Sequence, residues 1–296
     1  MKSRLKRLQE AGVLGHIEPF IYESVQYEVM MGSVAYGVST DTSDIDLYGF
    51  CIPPQGWVFP HLRGEIPGFG KPGPKFEQFQ KHHVSHNKNS YDLSIYSIVK
   101  YISLVADNNP NMVDSLFVPR NCILYATQLG EMVRSERRAF LHKGCYHRFK
   151  GYAYAQMKKL ETKNPTGKRA ERVAEHGYDT KFAYHIVRLL DECEQILESG
   201  DVDLTRDRER LKAIRAGDWT LERVKDFFEQ KEKHLEDCYA NTSLPYAADE
   251  ERIKALLLNC LEQHYGSLKA VGGDDQLRAA LSRIETICRE VGPCSG

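Results

Sequence analysis

Two carboxylates one residue apart, Asp44 and Asp46 in Ser43-Asp44-Ile45-Asp46-Leu47, follow a Gly32-Ser33-Val34-Ala35-Tyr36-Gly37 turn, with eleven residues from Ser33 to Asp44. Residues 45–52 read as a strand, so Asp44 and Asp46 share one face while Ile45 and Leu47 turn to the core. Carboxylates that close repel unless a cation lies between them, and their hard oxygens suit Mg²⁺. Upstream, Gly32 permits close backbone approach, and the Ser33 hydroxyl with its neighbouring N–H groups can hold phosphate oxygens, as can Ser43. Metal carboxylates beside a phosphate cradle imply phosphoryl chemistry. An isolated Asp-x-Asp more often caps a turn. Its pairing with Gly32-Ser33, inside a helix-turn-strand context, is what gives the functional reading.

This Gly-Ser, spacer, Ser-Asp-x-Asp arrangement resembles the signature of the DNA polymerase beta superfamily of nucleotidyltransferases. The stretches Asn109-Pro110-Asn111-Met112-Val113-Asp114-Ser115-Leu116 and Gly177-Tyr178-Asp179-Thr180-Lys181 through His185-Ile186-Val187-Arg188-Leu189-Leu190 resemble its RNA-repair-pathway subgroup, and the likeness spans about residues 30–215. The resemblance implies a short mixed sheet with flanking helices. It also implies two divalent ions, Mg²⁺ with Mn²⁺ able to substitute, and transfer of a nucleotidyl group from an NTP to an acceptor hydroxyl. The superfamily's third metal carboxylate stands on an adjacent strand, which here implies Asp92 in Tyr91-Asp92-Leu93-Ser94-Ile95. Asp92 can also be read as a cap for the helix that follows. Asp114 is the other candidate, although its place after Asn-Pro-Asn suits a structural bond.

Farther along, Lys181, His185 and Arg188 lie at i, i+4 and i+7, a cationic stripe expected to face the cleft and hold the triphosphate. Lys150 and Tyr152 are expected to add a phosphate contact and a stacking surface for a base. His82, His83 and His86 lack acidic or cysteine companions at zinc-like spacing, so a phosphate or nucleic-acid contact is the better reading.

These side chains need a scaffold, and the pattern predicts an α+β chain. Residues 4–30 read as a helix entering Met30-Met31, residues 53–74 with six Pro and five Gly as a lid or loop without regular structure, and a further strand ends near Ile95. Beyond residue 128 the apolar period is helical, with helices expected at 128–141, 147–162, 168–199, 204–215, 219–240, 248–269 and 274–290. The division is therefore a nucleotidyltransferase domain at 1–127 and a helical domain at 128–296. Eight scattered cysteines without a CxxC pair argue for reduced thiols. The absence of a roughly 20-residue apolar run and of a signal core points to a cytoplasmic protein without a membrane partner. Net charge is −1, but residues 134–172 carry twelve Lys and Arg against three Glu, a local balance of +9. That segment is the expected contact for an RNA end, such as a tRNA. A protein hydroxyl, a small molecule, or a catalytically silent binding module fits the same core.

Overall fold

The computed structural model describes residues 2–39, 44–66, 69–70, 75–162 and 166–266, with only the backbone of Arg63 and Lys168. The first part contains α1 (Arg4–Glu10), α2 (Pro19–Glu23), β1 (Val25–Met31), β2 (Ile45–Cys51) and α3 (Gln55–Val58). Next come β3 (Gln78–His86), β4 (Asn89–Ser97), α4 (Ile98–Ala106), α5 (Pro110–Phe117) and β5 (Ile123–Ala126). The remainder is helical: α6 (Gln128–Ser135), α7 (Cys145–Thr162), α8 (Lys168–His176), α9 (Thr180–Ser199), α10 (Arg208–Ala216), α11 (Leu221–Asn241) and α12 (Glu250–Tyr265).

The described strands form one sheet in the order β3-β4-β2-β1-β5, with β2 and β4 parallel and the other pairs antiparallel. The fold is thus α+β, a mixed sheet joined to a helical body, as the sequence led us to expect. The change of element type at residue 127 falls where Thr127 caps α6 by accepting from the Gly130 N–H. The larger buried core nevertheless runs across that point, from Val29 and Phe50 in the sheet to Leu190 and Leu235 in the helices.

Several local readings are corrected. The single helix expected over 4–30 is broken by Gly12 and Gly15, both at positive φ, and Pro19 starts a new one. Val25–Met31 is a strand, buried almost throughout although Val25-Gln26-Tyr27-Glu28-Val29 alternates apolar and polar residues. The Pro/Gly-rich stretch holds α3 and a 3-10 turn at Pro60–Arg63, while residues 67–68 and 71–74 lie outside the described residues. Gly177, at φ +80°, ends α8, and Asp179 caps α9, which divides the helix expected at 168–199. The helix expected at 274–290 lies outside the described residues.

Alternation along the strands sorts the sheet into two faces. Leu47, Cys51, Leu93 and Ile95 pack with Leu5, Leu8 and Ile21 under α1 and α2. Tyr27, Val29, Phe50 and Tyr96 pack towards the helices. On β2 and β4 the positions of the second set include Asp46 and Asp92, so both carboxylates belong to the face that meets the helical body. The hub of that body is α9, packed against α7, α10 and α11.

Glu28 sits on the α1 face of β1, fully buried, where its carboxyl accepts from the backbone N–H groups of Arg4 and Leu5 at the start of α1. Burial raises its pKa to about 7, although those two hydrogen bonds oppose the rise. An acid whose folded pKa exceeds its unfolded value binds its proton more tightly when folded, so its stabilising contribution is present at low pH. That contribution is lost as pH rises through 7. Glu28→Gln should therefore gain on the wild type by about 3 kcal/mol between pH 4.5 and 8, measured by urea unfolding at both values. A constant difference would show that Glu28 is held ionised at both.

Candidate active site

Asp46, on β2, stands directly opposite Asp92 on the parallel strand β4. Asp44 immediately precedes β2 and is exposed. Burial raises the Asp46 pKa to about 6, with the charges of Asp92 and Asp44 adding to the rise and Lys181 and His82 opposing it. The Asp46 carboxylate occupies the space above Gly32, the residue after β1: a Cβ built there would meet Asp46 Oδ2 at 1.9 Å. Gly32 also has φ +63°, so both its backbone and its neighbour require the absence of a side chain.

From Gly32 the chain coils into a helix-like turn, in which Tyr36 N–H donates to Gly32 O and Val38 N–H to Ser33 O. The first N–H groups of such a turn have no partner within it and are available to an anion. Beneath it, the buried Tyr36 hydroxyl donates to Asp114 Oδ2 (2.8 Å) and its ring lies 4.3 Å from the Arg188 guanidinium. Asp114 is fully buried on α5 and engaged by Tyr36 and Arg188, so of the two candidate third carboxylates it is Asp92 that stands opposite Asp46.

A β-bulge in β3 brings two histidines to the same place. The register with β4 shifts between Lys81 and Val84, and His83 has φ +54°. His83 N–H donates to Asp92 Oδ1 (2.8 Å), and the Nδ1 atoms of His82 and His83 lie 3.5 and 3.8 Å from that oxygen. Sequence reasoning had these histidines but no way to place them, because the edge strand carrying them is too polar to read as one.

The expected cationic stripe on α9 is corrected by burial. Lys181 is exposed at the first turn of α9 and its charge acts on Asp46. His185 stacks on Tyr184 (4.2 Å), and burial together with Arg188 and Lys181 holds its pKa well below the usual value, so the ring is neutral. Arg188 is 4% exposed and donates to Asp114 and Glu192, with no reach to the cleft. Lys150 is likewise engaged, 2.7 Å from Glu232 on α11 and 2.9 Å from the Tyr146 hydroxyl, and so ties α7 to α11 instead of waiting for a phosphate. Tyr152 leaves the other side of α7, partly exposed, with its hydroxyl accepting from Asn109. Ser43 lies outside the described residues.

The basic segment 134–172 is less free than its sum suggests. Arg138 pairs with Asp201, Arg148 with Asp107 and Arg172 with Asp179, and Arg134 is buried with its guanidinium on Val118 O. Lys158 and Lys159 are exposed and pair with no described carboxylate. Lys159 and Arg169 line a hollow of about 390 Å³ floored by Leu160 and Phe182, beside the start of α9.

With this geometry in hand, comparison with protein families gives a match over residues 2–270 to the one described as the RNA repair pathway DNA polymerase beta family. The chain belongs to this family. As a member it is a nucleotidyltransferase. No curated protein matches its sequence. Among solved structures it is similar to a nucleotidyltransferase-like protein from Exiguobacterium sibiricum 255-15, with 11% identity, 80% of this chain and 74% of that chain covered, and a TM-score of 0.30. Among the described residues, no helix of this family member is long and apolar enough to cross a membrane.

The strand carboxylates fit the divalent ions usual in the superfamily. Asp46 and Asp92 stand opposite each other on neighbouring strands, Asp46 is pressed towards its protonated form by burial and by the charges of Asp92 and Asp44, and no Cβ at Gly32 fills the space beside it.

Proposed function

We propose that this nucleotidyltransferase moves an NMP from an NTP to a hydroxyl at an RNA end, with Asp44, Asp46 and Asp92 holding two Mg²⁺ ions. The observation that carries the reading is the pairing of Asp46 with Asp92 beside Gly32, on the sheet face that meets α9. When bound, the ions would lower the pKa of the acceptor hydroxyl and neutralise the triphosphate. The protein's own groups bind and orient. The Gly32-Ser33 turn offers N–H groups and the Ser33 hydroxyl to phosphate oxygens. Lys181 meets the charge that gathers on the departing pyrophosphate as the hydroxyl attacks the α-phosphorus in line. The His83 N–H fixes one oxygen of Asp92 and leaves the other for its ligand. Tyr152 remains a stacking surface for a base.

For the acceptor, the pairing pattern shifts the expected RNA contact from the whole basic segment to its exposed lysines, Lys158 and Lys159, beside the hollow at the start of α9. RNA bound there releases counterions, so affinity should fall linearly on a log–log plot against salt. Reversing Lys158 and Lys159 to Glu should lower that slope by about 1.4, the value for two contacts to a single strand, and leave the fold unchanged. Lys163, the natural third reversal, lies outside the described residues. The decisive assay supplies labelled NTP, Mg²⁺ and total RNA. Label in RNA supports the reading, whereas label on a protein or small molecule, or salt-insensitive activity, overturns the RNA acceptor.

A further inference from the structure

At the far end of α9, three side chains of metal-ligating chemistry meet. His234 and Cys238 are one turn apart on α11 and so share a face. Glu198, in the last turn of α9, faces them. The separations are 3.5 Å from Cys238 Sγ to His234 Nε2, 3.6 Å from His234 Nε2 to Glu198 Oε1, and 4.0 Å from Cys238 Sγ to Glu198 Oε1. Tetrahedral zinc, with bonds of about 2.0–2.3 Å, holds such donors about 3.3–3.6 Å apart. Two of the three distances already fall at that spacing, and the third closes with a small rotation of the exposed Glu198 side chain. Among the described residues this is the one group of three His, Cys, Asp or Glu side chains found within ligating reach of each other.

We propose that Glu198, His234 and Cys238 form a binding site for a divalent transition-metal ion of zinc type, which clamps α9 to α11. The donor set argues against the hard ions expected at the strand carboxylates, because a thiolate and an imidazole favour a softer cation than Mg²⁺. A surface ion-pair cluster explains His234 beside Glu198 and Glu194, but it gives no role to the Cys238 thiol 3.5 Å from His234 Nε2. The three donors line an open hollow of about 420 Å³ together with Asp237, which leaves an entry path and room for a fourth ligand, a water or that carboxylate. The cluster lies seventeen residues along α9 from Lys181, about 25 Å at the rise of an α-helix. The ion would therefore take no part in nucleotidyl transfer, and the inference does not depend on the function proposed above.

Titration of the full-length protein with Co²⁺ tests this directly. A bound ion should give a near-ultraviolet thiolate-to-cobalt charge-transfer band and visible bands of tetrahedral intensity, neither displaced by excess Mg²⁺. Zn²⁺ should displace both and, at a hundredfold excess over its Kd, raise the unfolding midpoint by about 5 °C. Cys238→Ser should abolish the charge-transfer band. His234→Gln should weaken binding at least about 100-fold, more than loss of an outer-sphere partner costs. Asp46→Ala and a Cys288→Ser/Cys294→Ser variant should keep the full spectrum. A wild-type protein without the band, or a band that survives in Cys238→Ser, would overturn the site.

Discussion

Replacing Asp46 with Ala is expected to reduce nucleotidyl transfer by at least about 10³-fold while the protein stays folded, and Asp44→Ala should behave alike. The two halves of this expectation have one cause. Asp46 is pushed up to about 6 by burial and by the neighbouring Asp92 and Asp44, so as an ion it is a strained element of the apo fold. A raised folded pKa means that its ionisation costs stability as pH climbs through 6, and Asp46→Asn should be the more stable protein above that pH when divalent ions are absent. A cation bound there would offset that cost in use. Single-turnover transfer and thermal unfolding, each with and without Mg²⁺, measure both halves. Turnover near that of the wild type would remove Asp46 from the site. Lost turnover together with a large fall in midpoint would make it a structural residue. Asp92→Asn should share the loss of turnover yet retain NTP binding.

What the sequence made legible is what is local along the chain. Gly32-Ser33 and Asp44-x-Asp46 are short-range patterns, and Gly32 is needed for a reason that a spacing argument reaches, the close approach of a side chain to backbone. Asp92 was accessible through the family resemblance, helped by the Leu93-Ser94-Ile95-Tyr96 stretch that marks the strand after it. The edge strands β3 and β5 were not: one alternates polar residues, and the other is only four residues long. Nor were the partners of charged residues. Lys150, Arg188 and Arg148 look alike in a helical pattern, yet they end on Glu232, on Asp114 and Glu192, and on Asp107, carboxylates contributed by tertiary packing or by the next turn. Periodicity tells which face a cation occupies and is silent on whether another helix covers that face. For the same reason the meeting of Glu198 with His234 and Cys238 leaves no motif in the chain.

Arg188 gives the clearest test of that difference, and Arg188→Ala is expected to destabilise the protein by about 3–5 kcal/mol. Its guanidinium lies 2.5 Å from Asp114 Oδ2 and 2.8 Å from Glu192 Oε2, with all three side chains almost wholly removed from solvent. Burial raises the pKa of both carboxyls, and the Arg188 charge is what opposes that rise. Without it, two acids remain buried with no cation, and they must either stay charged at great cost or take up protons. The deficit should therefore shrink as pH falls through their raised folded pKa values, since protonation removes the uncompensated charge. Lysine would restore the charge but not the planar guanidinium that lies 4.3 Å from the Tyr36 ring, so Arg188→Lys should recover only part of the loss. The network also supports Tyr36, whose hydroxyl donates to Asp114 from inside the Gly32–Val38 turn. Loosening it should weaken NTP binding by displacing the turn, in proportion to the stability lost. A triphosphate-binding arginine would give the opposite result: an unchanged unfolding midpoint, a pH-independent difference, and a raised KM for NTP alone. Denaturant unfolding across pH, set beside NTP affinity for Arg188→Ala and Arg188→Lys, separates a brace under the site from a contact within it.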